Sequence, residues 1–204
     1  MIHVEGDALR VIRIDRPDKA NALTEDMLRA LCEAAEAAQG VRALVLTGTG
    51  KVFSAGADLE AAKAGLAKTP LWERLSGAIV RHPALTICAL NGTVAGGAMG
   101  MALACDLRIA VPGAKLFYPV MKLGYLPQPS DPARLAALVG SARAKMILMA
   151  GQKIATDEAL FWGLIDRIVE GDVLDAARGL AADVLRADGA HAQAIKALIH
   201  RRLT

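Results

Sequence analysis

Aromatic residues make up only 3% of this 204-residue chain, too few to build a platform for stacking nucleobases. Nor does one sign of charge prevail. Lys and Arg number 24 against 21 Asp and Glu, a net charge of +3, and the basic residues are scattered. That excludes the electrostatic footprint of a nucleic-acid or membrane binder and leaves a small anionic ligand open. Cysteine is scarce: Cys32, Cys88 and Cys105 are odd in number, far apart and set in apolar runs. They exclude a disulfide framework or a zinc site and suit a reducing compartment. The opening residues, Met1 to Asp7, lack the basic and apolar regions of a secretory signal, so the cytoplasm is the expected location. No repeat and no Ser/Gly linker occur. There is no G-x-G-x-x-G after the first strand and no G-x-x-x-x-G-K-[ST], which disfavours a dinucleotide or NTP site.

What the chain does have is apolar bulk, 54% hydrophobic against 22% charged, and at this length one domain buries roughly 70% of its unfolded surface. From Pro83 to Cys105 no charged residue occurs, 23 residues that could in principle cross a bilayer. Pro83, Asn91-Gly92, Gly96-Gly97 and Gly100 interrupt that run, so it predicts several short elements and no membrane span.

Hydrophobic spacing predicts a hairpin of Ile2–Val4 with Leu9–Ile14 around Gly6-Asp7, then a helix capped by Thr24 that carries Met27, Leu28, Leu31 and Ala35. Ala43–Leu46 predicts a buried strand, followed by a loop around Phe53–Ala57, a polar helical stretch, a helix with Trp72, Leu75 and Ile79, and a strand at Leu85–Leu90. Next come a small-residue helix at Ala98–Ala104 and strands at Leu107–Val111 and Lys115–Phe117. Beyond Asp131 the pattern is helical, with a cap at Ser141, a helix at Asp157–Trp162, a short strand at Leu164–Val169 and two final helices. Strands alternating with helices, several of them continuous apolar runs, predict an α/β protein whose sheet is covered on both faces.

Two loops stand out, Ala55-Gly56-Ala57-Asp58-Leu59 and Gly96-Gly97-Ala98-Met99-Gly100. Small side chains let a ligand approach the main chain, and two backbone N–H groups converging on one point form an oxyanion hole. Taken singly, either loop reads first as glycine and alanine allowing close helix–sheet packing.

The surrounding text is more specific. Arg16-Pro17-Asp18-Lys19-Ala20-Asn21-Ala22-Leu23, Phe53 to Leu59, Asn91-Gly92-x3-Gly96-Gly97-Ala98-x-Gly100 and Cys105-Asp106 follow in order. Gly151 to Ala159, Trp162-Gly163-Leu164-Ile165 and Arg167-Ile168-Val169 continue the pattern. The chain resembles the crotonase superfamily, the enoyl-CoA hydratase and isomerase group. That resemblance implies one crotonase-like domain over residues 1–204, a ββα spiral core over 1–140 and a mainly helical part over 141–204. It also implies an acyl-coenzyme A thioester as ligand, coenzyme A as part of the substrate with no tightly bound cofactor or metal, and a homo-oligomer, trimer or hexamer. It puts the Ala57 and Gly97 amides at the oxyanion positions. Ala20, Ala22, Ala55 and the Asp58-Leu59 backbone would line the adenine and pantetheine path, and Lys19 would meet a phosphate.

The pattern also departs from the family. Where its hydratases carry two glutamates this chain reads Gly100 and Val120, and where some isomerases carry an aspartate it has Gln128; none accepts a proton. The last family helices, beyond 201–204, are not in this sequence. Near the expected pocket stand Tyr118, Tyr125, Gln128 and Asp131, with Glu60 and His82 at its margin. Asp131 is the candidate base, although Ser130-Asp131-Pro132 also fits a helix cap. His82 reads as a surface loop residue. Ser54 lacks the G-x-S-x-G elbow of a serine hydrolase. An enolate-stabilising acyl-CoA enzyme, a decarboxylase or thioesterase variant of it, and a non-catalytic acyl-CoA-binding protein all remain open.

Overall fold

A computed structural model of the chain describes residues 1–200. In chain order the strands are β1 (Ile2–Glu5), β2 (Leu9–Ile14), β3 (Ala43–Gly48), β4 (Val52–Ser54), β5 (Leu85–Leu90), β6 (Thr93–Ala95), β7 (Leu107–Ala110), β8 (Lys115–Phe117), β9 (Ile154–Ala155) and β10 (Arg167–Ile168). The helices are α1 (Glu25–Ala37), α2 (Leu59–Lys63), α3 (Leu71–Arg81), α4 (Ala98–Ala104), α5 (Val120–Leu123) and α6 (Asp131–Val139). They continue with α7 (Ser141–Leu148), α8 (Thr156–Trp162), α9 (Val173–Leu180), α10 (Ala182–Arg186) and α11 (Gly189–His200).

Six strands form the larger sheet in the order β1-β2-β3-β5-β7-β10, and four form a smaller one in the order β4-β6-β8-β9. After the antiparallel β1–β2 hairpin, every pairing in the larger sheet is parallel. The chain therefore repeats one move: a strand in the large sheet, a strand in the small sheet, then helix. This is the α/β crotonase spiral.

The central strands are apolar throughout because both faces of the large sheet are covered. Ile12, Leu44, Leu46, Cys88 and Leu90 point into the main core, while Val11, Val45, Ile87, Ala89 and Ile109 meet Val173, Leu174 and Ala177 of α9. The period of two along each strand decides which side chain goes to which side.

At the corner between the sheets, Asn91 takes the Gly48 N–H on its Oδ1 (2.9 Å) and donates from Nδ2 to the Gly50 carbonyl (2.8 Å). A Cβ on Gly92 would stand 2.0 Å from the Lys51 carbonyl oxygen, so only glycine lets the β5–β6 turn rest on the β3–β4 turn. This corner aligns β4 and β6 as parallel neighbours.

The charge-free run from Pro83 to Cys105 divides into short elements, β5, β6 and α4, as its glycines predict, and among the described residues no helix is long and apolar enough to cross a membrane. Other expectations are corrected. The segment around Phe53 is strand β4, and β6 precedes the glycine pair; at three residues each they are too short to show a period. Ser141 is the first residue of α7, with Gly140 at the cap position and no side-chain capping bond. The strand read over Leu164–Val169 shortens to Arg167–Ile168, and three helices follow it. Residues 201–204, where the reading ends the last helix, lie outside the described residues.

Candidate active site

Both small-residue loops leave the same end of the small sheet, because β4 and β6 run parallel side by side. In the first loop Leu23 N donates to the Gly56 carbonyl and Asp58 N to the Leu23 carbonyl, each at 2.8 Å. That bridge uses the residues on either side of Ala57 and turns the N–H of Ala57 itself the other way. In the second loop Gly96 N donates to the Phe117 carbonyl (3.2 Å) and Gly97 leads into α4. Among the described residues, neither Ala57 N nor Gly97 N donates to a protein acceptor. The loops touch: a Cβ on Gly56 would lie 2.8 Å from the Ala95 oxygen and 3.2 Å from Gly97 N, and its φ of +90° is a glycine conformation.

Ala55, Ala57, Gly96 and Gly97 line a cavity of about 240 Å³ together with Trp72, Tyr118, Val120, Leu123, Tyr125 and Leu126. The Trp72 indole packs on Gly97, where a Cβ would meet the ring at 3.0 Å, and its Nε1 donates to the Leu66 carbonyl (2.8 Å). From the sequence Trp72 reads only as an apolar position of α3; its place over Gly97 has no local signal.

Asp131 neither caps a helix nor lines the cavity. Ser130 holds the cap position, and Asp131 is the first residue of α6 at 1% exposure. Its carboxylate fills the space over Gly100, where a Cβ would meet both oxygens at 2.9 Å. Oδ2 accepts from the Tyr118 hydroxyl at 3.0 Å, and that same phenol oxygen accepts from Gln128 N at 3.3 Å. Oδ1 has no hydrogen-bond partner among the described residues, the Arg134 Nη1 standing 3.8 Å away. Burial pushes the Asp131 carboxyl up to about 6 against the Tyr118 bond and the Arg134 charge, with Glu73 adding to the rise. Burial likewise raises the Tyr118 phenol well above its usual range, and the Asp131 charge adds to it. Burial also acts on Glu73, but the Ser130 hydroxyl (2.5 Å) and amide (3.0 Å) outweigh it and hold that carboxyl below its ordinary value.

The segment expected to carry coenzyme A folds against the first loop. Lys19 is exposed at the end of a 3-10 turn, Ala20 and Asn21 take positive φ of 50° and 54°, and Ala55 N donates to the Ala20 carbonyl at 3.0 Å. The Ala22 carbonyl accepts from Arg16 Nη1 (3.0 Å), and Leu59 is 73% exposed. The polar groups of Asp58 are spent within the fold: its side chain caps α2 and pairs with Arg16 at 2.9 Å, and its amide and carbonyl bond Leu23 and Ala62. Arg16 accordingly holds the Asp58 carboxyl below its usual range, helped by the α2 amides.

Buried Asn21 ties this segment down, taking Arg16 N on Oδ1 and donating from Nδ2 to the Thr49 and Val52 carbonyls. Glu60 pairs with Lys63 at the surface and stands outside the cavity wall. His82 is buried rather than on a surface loop: Nε2 meets the Ala38 carbonyl at 2.7 Å, Nδ1 accepts from Ala84 N, and burial lowers its pKa.

Residues 5–204 match the family model described as enoyl-CoA hydratase/isomerase. The chain belongs to that family. It is 33% identical to the 4-chlorobenzoyl coenzyme A dehalogenase-2 of an Arthrobacter species over 201 residues, 93% of this chain and 73% of the relative. Among solved structures, the enoyl-CoA hydratase of Bacillus anthracis superposes with a TM-score of 0.89 at 28% identity, over 98% of this chain and 82% of that one. Pseudomonas aeruginosa DspI gives 0.89 at 33% identity, over 98% and 80%. The names carried within this enoyl-CoA hydratase/isomerase family thus include both a hydratase and a dehalogenase.

Proposed function

We propose that the chain binds an acyl-CoA thioester in the cavity and stabilises its enolate through the Ala57 and Gly97 amides. The observation that carries this reading is the pair of amides without protein acceptors, held on touching loops at one wall of a cavity that is otherwise largely apolar. A thioester carbonyl oxygen accepting both N–H groups gains negative charge as its α-proton leaves, and donors already in place stabilise that charge without reorganising. The acyl group then lies against Trp72, Val120, Leu123 and Leu126. The coenzyme A arm runs over Ala55, Ala20, Ala22 and the Asp58-Leu59 backbone toward Lys19. In this reading coenzyme A comes and goes with the substrate, and the working form is a cytoplasmic trimer or pair of trimers.

Calorimetric titration with crotonyl-CoA and acetyl-CoA, with loss of the enoyl absorbance followed on the same samples, tests the reading. Gly97→Pro removes one donor and should lower turnover by about 10²–10³-fold. Gly97→Ala adds the same clash with Trp72 but keeps the N–H, so it isolates the donor. Equal losses in the two variants would overturn the oxyanion role. Binding without turnover in the unaltered protein would favour a non-catalytic acyl-CoA carrier.

A further inference from the structure

We infer that the Tyr118 hydroxyl exchanges the proton with the bound thioester and that Asp131, behind it, is the store for that proton. The inference rests on the acyl-CoA reading and adds the group that moves the proton. Of the polar side chains on the cavity wall, Lys63 pairs with Glu60 at the surface, and the Gln128 amide donates to the Ala67 carbonyl. Tyr125 has no carboxylate bonded to it among the described residues, whereas the Tyr118 hydroxyl lies 3.0 Å from one.

Three features of the surroundings suit that task. Gly100 follows Gly97, the cap of α4, by three residues, so the two backbones stand about one helical turn, roughly 5 Å, apart, and the Asp131 carboxylate packs directly over the second of them. The Gln128 N–H donates to the phenol oxygen at 3.3 Å, which holds the hydroxyl in place with its own proton on Asp131 Oδ2. Asp131 Oδ1 has no hydrogen-bond partner among the described residues, so the carboxylate is only partly satisfied and gains by taking a proton.

The step balances. The α-carbon–hydrogen bond breaks and its electron pair enters the enolate, whose oxygen rests on the Ala57 and Gly97 amides. The proton bonds to the Tyr118 oxygen as the phenolic proton passes to Asp131 Oδ2. One negative charge has moved from Asp131 to the enolate, and the reverse path returns the proton. The groups facing Asp131 are Tyr118, Arg134 from its own helix at 3.8 Å, and Glu73 from α3, itself held by Ser130. With the carboxyl at about 6, the pair can give or take a proton near neutrality.

Butanoyl-CoA in D₂O provides the test, with deuterium at C2 read by mass spectrometry and affinity read by calorimetry. The unaltered protein should incorporate deuterium at a rate that rises with pH through about 6 and then levels. Tyr118→Phe should exchange at least about 100-fold more slowly with butanoyl-CoA affinity retained. Asp131→Asn keeps an acceptor for the Tyr118 hydroxyl, so its fold is preserved, and it should lose both the exchange and the rise near pH 6. Exchange at the unaltered rate in Tyr118→Phe overturns the inference, as does an unaltered protein that binds butanoyl-CoA and exchanges nothing. If Gly97→Pro alone abolishes exchange, the oxyanion reading stands and this one falls; if butanoyl-CoA does not bind at all, both fall.

Discussion

Asp131 holds its proton more tightly in the folded protein than in the unfolded chain, because burial disfavours the carboxylate. The sign follows: its contribution to stability is full below the unfolded value of 3.8 and is lost as pH rises through about 6. That interval corresponds to about 3 kcal/mol as a ceiling. Urea unfolding should therefore show Asp131→Asn gaining on the unaltered protein between pH 4 and pH 7, and a constant difference over that range would contradict the burial assignment. Asn21 works in the opposite sense, with its buried amide satisfying three backbone groups and its backbone at φ +54°. Asn21→Leu leaves Arg16 N and the Thr49 carbonyl unpaired, the Val52 carbonyl keeping Asn91 Nδ2 at 3.2 Å, in a conformation leucine resists, and should cost about 2–4 kcal/mol in thermal or urea unfolding. In the sequence Asn21 is visible only as part of a motif, since nothing local says that its partners are Arg16, Thr49 and Val52.

Between elements, the approach of α4 and α6 depends on Gly100 leaving room for the Asp131 carboxylate. Gly100→Ala should destabilise by about 1–3 kcal/mol through overpacking. In an Asp131→Ala background that cost should shrink, a coupling above about 0.5 kcal/mol in a double-mutant cycle; simple additivity would mean the two positions are not in contact. The loops obey the same logic. Gly56→Ala places a Cβ 2.8 Å from the Ala95 oxygen at φ +90°, so it should part the two loops and abolish acyl-CoA turnover more completely than it lowers the melting temperature. α4 itself was legible, ending at Ala104 as its small-residue pattern predicts, and so were α1 from its Thr24 cap and the β1–β2 hairpin. The strands that carry the site loops, β4 and β6, were not, since three residues cannot establish a period of two.

Over the whole molecule, α11 reaches back to the large sheet through Lys196, whose Nζ meets Asp106 Oδ2 at 2.6 Å and the Ala84 carbonyl at 2.7 Å. Asp106 also takes the Thr86 amide and hydroxyl, so one carboxylate joins β5, the start of β7 and α11. Lys196→Met should raise amide hydrogen exchange in α11 about tenfold, about 1.4 kcal/mol of local stability, while the core strands keep their protection. Unchanged exchange in α11 would show that its packing alone holds it. Sequence by itself determined what depends on neighbours along the chain: the continuous apolar strands, the Thr24 cap, the order of the longer elements and the two small-residue loops. Tertiary structure alone decided that β4 lies beside β6, that Trp72 covers Gly97, that His82 is buried, and that Tyr118, Asp131 and Gly100 share one small volume. The reason is physical. Propensity and periodicity act over a few residues, whereas these meetings are made by parallel pairing and close packing of elements far apart in the chain, which leave no period in the sequence.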